Sequence, residues 1–87
     1  MIQITLHNAD NVDLFASAID NNQPGSPTVF PNQRLNQGQT SPPFNVQEGG
    51  NGQFSITWTA TDVDDPTRTQ SKPATGGAGD PVDVESS

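Results

Sequence analysis

Between Gln53 and Val63 the chain alternates: Phe54, Ile56, Trp58 and Ala60 occupy one set of positions, and Ser55, Thr57, Thr59 and Thr61 the other. A period of two belongs to a strand, whose successive side chains point to opposite faces. This segment can therefore bury one face and present a row of hydroxyls on the other, where β-branched threonines suit a pleated, half-wet surface. Ile2, Ile4 and Leu6, interleaved with Gln3, Thr5 and His7, repeat the pattern near the start of the chain. Ile4, Leu6, Phe54, Ile56 and Trp58 are the expected core.

A second constraint is scarcity of apolar material. Hydrophobic residues make up 29% of the 87 and charged residues 15%, so uncharged polar residues, glycine and proline fill the balance. These favour turns and solvated sheet surfaces over helices, and runs of Ala, Leu, Lys and Glu are absent. The length allows one domain. The expected fold class is all-β, a small antiparallel β-sandwich or open barrel of about five strands, with Greek-key and meander orders both open.

Elsewhere the pattern is weaker. From Val12 to Ile19 the apolar residues fall into two sets, which fits a strand buried on both faces or one with a bulge, with a short helical turn as the alternative. Asp20 to Pro27 reads as a connection. Thr28 to Phe30 is a short edge strand stopped by Pro31, which lacks a ladder donor, and Leu35 anchors a turn. Phe44 and Val46 start another strand, which the glycines of Glu48 to Gly52 join to the long one as a hairpin spanning Phe44 to Val63.

Beyond Val63 the composition changes. Pro66, Pro73, Pro81, Gly76, Gly77 and Gly79 lie among small and polar residues, and no aromatic residue follows Trp58. Such a segment buries little apolar surface to offset its ordering entropy. The expected organisation is a β domain over residues 1–66 and a disordered, flexible acidic C-terminal tail over 67–87. Val82 and Val84, alternating with Asp83, are the expected interface residues, able to add a strand to a neighbour's sheet edge.

Charge and composition narrow the partners. A net charge of −7 repels phosphate backbones and anionic headgroups, so nucleic acid is not an expected partner. No apolar run reaches the ~20 residues of a membrane span, and Met1 to Asn8 lacks the basic start and apolar stretch of a secretory signal. The expectation is a soluble protein, extracellular or particle-associated. Without cysteine, neither a disulfide nor a thiolate metal site can brace the domain.

Four features carry chemistry. Asp62, Asp64 and Asp65, at the end of the long strand, supply closely spaced hard oxygen ligands for Ca²⁺. This stretch resembles the Asp-rich strand ends of bacterial cadherin-like and immunoglobulin-like repeats, although the Glu and Asn partners of a full cadherin site are missing. The ordinary reading is a solubilising strand terminus with an aspartate turn before Pro66. His7, the single histidine, is a candidate base or ligand, but no nucleophile signature accompanies it, and a solvent-facing strand residue is the plainer state. Trp58, Phe54 and Ile56 could stack on a sugar, yet their alternation points them inward. Amide-rich loops at 21–23, 32–39 and 47–53 suit carbohydrate hydroxyls, a wet interface or plain solvation.

The expected function is a non-catalytic structural or interaction module that self-associates as a homo-oligomer, or with a protein partner, through sheet edges, in the manner of surface, filament or virion components. The alternative is a lectin-like or toxin-like β-sandwich that binds carbohydrate or cell surfaces, with Ca²⁺ as its one candidate cofactor. Catalysis is not expected.

Overall fold

A computed structural model describes residues 1–87. It contains seven strands and no helix: β1 (Ile2–Asn8), β2 (Leu14–Asp20), β3 (Thr28–Leu35), β4 (Phe44–Val46), β5 (Phe54–Asp62), β6 (Thr69–Gly76) and β7 (Pro81–Val84). They form a three-stranded sheet, β4-β1-β7, and a four-stranded sheet, β3-β2-β5-β6. With no helix, no helix is long and apolar enough to cross a membrane.

The long alternating segment is β5, the centre of the larger sheet. Its inward residues Phe54, Ile56, Trp58 and Ala60 are buried, as are Ile4 and Leu6 of β1. Fourteen buried residues from both sheets form one core cluster. Small residues make the fit: Ala16 lies opposite Ala60 and Ala18 opposite Trp58, so the indole fills space that β2 leaves open. The second set seen between Val12 and Ile19 is the outer face of β2, where Phe15 remains 37% exposed.

Four local expectations change. β2 is a regular strand, and the irregularity lies in its partner: pairing steps from Ala16 with Gln33 to Ala18 with Phe30, then to Ile19 with Thr28, so β3 carries the extra residues. Those bulges let β3 pass through Pro31, where the sequence pattern stops it, and end at buried Leu35, with the expected turn at Gln37 and Gly38 directly after it.

The hairpin expected over Phe44 to Val63 does not form. β4 pairs antiparallel with β1, while β5 is flanked by β2 and β6. The glycine loop is a turn, closed by Gly49 N donating to Gln53 O and Gly52 N to Gly49 O, but it crosses between sheets. Turn chemistry specifies a reversal of direction, not the sheet that the next strand joins.

The segment expected as a free tail holds β6 and β7 instead. β6 pairs along its length with β5, and β7 runs parallel to β1, Leu6 opposite Val82 and Asn8 opposite Val84. A segment too polar to build a core of its own is ordered by a neighbour's ladder. β6 contributes backbone hydrogen bonds and β7 contributes two valines, so neither needs a large apolar content.

Buried polar side chains fasten the strand ends. Asn8 Nδ2 donates to Val12 O and Leu35 O, and its Oδ1 accepts from Asp10 N. The fully buried Asp20 accepts from Asn22 N at Oδ1 and from Gln23 Nε2 and Gln47 N at Oδ2. That last bond ties the loop after β4 to the opposite sheet, a connection between distant segments that a charged acceptor strengthens.

Candidate functional site

A cleft of about 520 Å³ opens between β6 and β7, the strands that end the two sheets on the same side of the molecule. Phe54 and Trp58 of β5 line it from the core, Lys72 and Ala74 belong to the β6 wall, and Asp80, Asp83 and Glu85 to the β7 side. Its origin lies in the inward positions of β6. Lys72 is in register with Trp58 and Ala74 with Ile56, so alternation places Gln70, Lys72, Ala74 and Gly76 on the face shared with the core. None of these is a large apolar residue. Across the molecule β4 packs against β3 and β7 against β5, and no strand of the smaller sheet packs squarely against β6.

A hydrogen bond lies near each end of the cleft. At one end Gln70 Nε2 reaches across from β6 to Glu85 O at 2.8 Å. At the other the chain turns from β6 into β7, with Gly77 N donating to Asp80 Oδ2 at 3.0 Å. Gly76 permits the close approach there: a Cβ would lie 2.9 Å from Asp80 Oδ2 and 3.0 Å from Phe54 Cε2, so the Asp80 side chain would have to move. Three of the lining residues are acidic, Asp80, Asp83 and Glu85, against a single cation, Lys72, which makes no salt bridge of its own; Asp83 and Glu85 alternate with the buried Val82 and Val84, so their carboxylates lie on the outer face along the free edge of β7. Asp83 Oδ1 lies 3.1 Å from His7 Nδ1, its cross-strand neighbour on β1.

The aspartates of the strand end are engaged elsewhere. Asp62 is 5% exposed, accepts from Asp64 N at Oδ1 and meets Arg68 Nη1 at 3.3 Å through Oδ2. Asp65 Oδ1 accepts from Thr67 N and Thr67 Oγ1; these bonds and the nearby Arg68 charge outweigh the cost of burial and hold its pKa below the ordinary carboxylate value. Arg68 continues to Asp10, 3.9 Å away, and to Ser87 Oγ. No group of three or more His, Cys, Asp and Glu side chains converges in the way a metal ion needs. Asp62, Asp64 and Asp65 share one turn, but the carboxylate of Asp62 is bonded to Asp64 N and Arg68 and that of Asp65 to Thr67, not to a common point.

Asp10 is the anchor of the C-terminal strand. Its Oδ2 accepts from both Ser86 N and Ser86 Oγ, at 2.8 and 2.7 Å. Burial pushes its pKa up, but the two Ser86 bonds, the Asn11 amide and the Arg68 charge together pull harder, leaving it below the ordinary value. Asp13 is likewise lowered, by the Gln37 amide and by Arg34.

Val82 and Val84, the expected interface pair, do add a strand to a sheet edge, but the edge is that of the chain's own β1 and both side chains are buried. His7 faces outward, with its side chain 37% exposed. The cleft residues Gln70, Lys72, Asp80, Asp83 and Glu85 escaped sequence reasoning because they carry no apolar period. The available signal was the even spacing of Gln70, Lys72 and Ala74 between hydroxyl-bearing Thr69 and Ser71, which marks the two faces of a strand.

No family model, curated protein or solved structure matches this chain. The reading of function therefore rests on the geometry of the cleft.

Proposed function

We propose that this chain is a non-catalytic interaction module, a small β-sandwich left open on one side, that engages a protein partner at the cleft between β6 and β7. The observation that carries the reading is the unequal strand count: four strands face three, and the uncovered strand is β6. The exposed walls of this cleft, Lys72, Pro73 and Thr75 on one side and Asp80 and Pro81 on the other, with Phe54 and Trp58 buried at its base, are where added contact area comes without rearrangement.

The remaining edges oppose open-ended stacking. β3 carries Pro31 and two register shifts, β4 has only three residues, and β6 carries Pro73 at its middle. Each of these devices removes a ladder donor or shortens the edge. Association through one defined cleft fits these edges better than a general self-pairing. The titratable groups lining the cleft, Lys72, Asp80, Asp83 and Glu85, are all exposed, without the burial that tunes catalytic groups, which favours binding over chemistry.

The chain has no cysteine, which provides the test. A bulky thiol label on Lys72→Cys fills the cleft, and the same label on Thr57→Cys sits on the outer face of the larger sheet. Association, whether with its own copy in sedimentation velocity or with a partner surface in a binding assay, should be lost with the first label and kept with the second. The reverse pattern would refute the reading. A carbohydrate site, the second reading, would rest on the polar rim alone, since Phe54 and Trp58 are buried and offer no ring face for stacking; a glycan array with the Lys72-labelled chain as control tests it, and silence for the unlabelled chain rejects it.

A further inference from the structure

The cleft lies where one more strand of the smaller sheet would run. Alignment of the two sheets leaves a place beside β7 and across from β6, and this is the place that the cleft occupies. The backbone beside it is unpaired. Ala9 N donates to Val84 O, which fixes the phase of the parallel β1–β7 ladder. Val82 and Val84 then direct their amides and carbonyls at β1, while Asp83 directs both of its groups away, toward the cleft. Glu85 O, in the same phase, is the carbonyl that Gln70 reaches. An edge acceptor is thus already satisfied by a side-chain amide from across the cleft, as a strand would satisfy it.

The facing edge of β6 is a poorer template. Asp62 N donates to Arg68 O, so the hydrogen-bonded pairs of the β5–β6 ladder include Trp58 with Lys72 and Ile56 with Ala74. Thr69, Ser71, Pro73 and Thr75 therefore turn their backbone groups outward, and Pro73 has no amide to offer. A strand entering the cleft pairs with β7.

Charge selects the occupant. Asp83 and Glu85 carry their carboxylates on the outer face of the free β7 edge, where they would flank the outward side chains of an added strand, in a chain of net charge −7. A second copy brings only three cationic side chains, and two of them, Arg34 and Arg68, are held by Asp13 and Asp62. We infer that the cleft takes an extended, cationic segment of another protein, added as a further strand on the free edge of β7, with its inward side chains over Phe54 and Trp58. This rests on the reading of the cleft as the binding surface.

The experiment uses the full chain, isotopically labelled, and two capped synthetic peptides, one alternating lysine with valine and one alternating glutamate with valine. The lysine peptide should shift the Trp58 indole resonance and slow hydrogen exchange of the Asp83 amide, and the glutamate peptide should do neither. Asp83→Pro removes the edge amide while the backbone bonds of Val82 and Val84 to β1 stay, and should weaken binding at least about tenfold relative to Asp83→Asn, which lacks the same carboxylate but keeps the amide. Glu85→Lys, fully on the surface, should weaken it several-fold and lessen its salt dependence; circular dichroism establishes that the variants are folded. Movement of Trp58 without protection of Asp83 overturns strand addition and leaves the cleft reading intact. Equal binding of the two peptides overturns the charge argument, and no response to either overturns the inference together with the cleft as a peptide site.

Discussion

Replacing Asp10 with alanine tests whether one carboxylate pins the C-terminal strand. Both donors of Ser86, its amide and its hydroxyl, converge on Asp10 Oδ2, and Ser86 is 1% exposed. Hydrogen bonds to a charged acceptor contribute ~1.5 to 3 kcal/mol each. Two donors share one oxygen here, and Ser86 lies beyond the last strand, where fraying lets water take the carboxylate's place; about 2 to 3 kcal/mol is therefore the expected loss and not the simple sum. Against a total of roughly 4 to 13 kcal/mol for a domain of this length, that should lower the melting temperature by about 10 to 20 °C.

The pH dependence separates this account from a simple packing defect. The folded state holds Asp10 at a lowered pKa, so it binds the proton more weakly than the unfolded chain does. The stabilisation is then fully present above the unfolded value near 3.9 and fades as pH falls through the folded one. Urea denaturation of the parent and Asp10→Ala should show the full difference near neutral pH and a shrinking one below about pH 3.5. A loss under about 0.5 kcal/mol, or a difference that stays constant into acid, refutes the reasoning.

Three further outcomes follow from the same packing. Trp58→Ala should cost about 3 to 5 kcal/mol, measured by urea midpoint with far-ultraviolet circular dichroism; a loss of a tenth of that would mean that the indole is not packed. Asp20→Asn keeps the shape but sets an NH₂ against one or more donors among Asn22 N, Gln23 Nε2 and Gln47 N. It should cost about 1 to 3 kcal/mol, and a neutral result by thermal denaturation would exclude Asp20 as the tie between sheets. Added Ca²⁺ should leave the melting temperature unchanged, because Arg68 already neutralises Asp62 and Thr67 takes Asp65. A site filled at a hundredfold its Kd would add ~2.7 kcal/mol, so a rise of several degrees would count against that view.

Side-chain alternation alone specifies the strands that carry it. Around Trp58 and at Ile4 and Leu6 the period of two is strict, and a strand with one buried face is the only regular structure that satisfies it. Composition sets the acidity and the absence of cysteine, which restrict partners and bracing before any fold is known. The tertiary structure decided what local pattern cannot encode. β6 and β7 looked like a tail because a strand held by another strand's hydrogen bonds needs few apolar residues of its own. Phe44 and Val46 looked like half of a hairpin because a glycine turn fits equally well within one sheet or between two. The cleft belongs to the same class: Lys72, Asp83 and Glu85 become neighbours only when β6 and β7 end different sheets on the same side, and that follows from pairing between segments far apart in the chain, where backbone hydrogen bonds are blind to the residues they join.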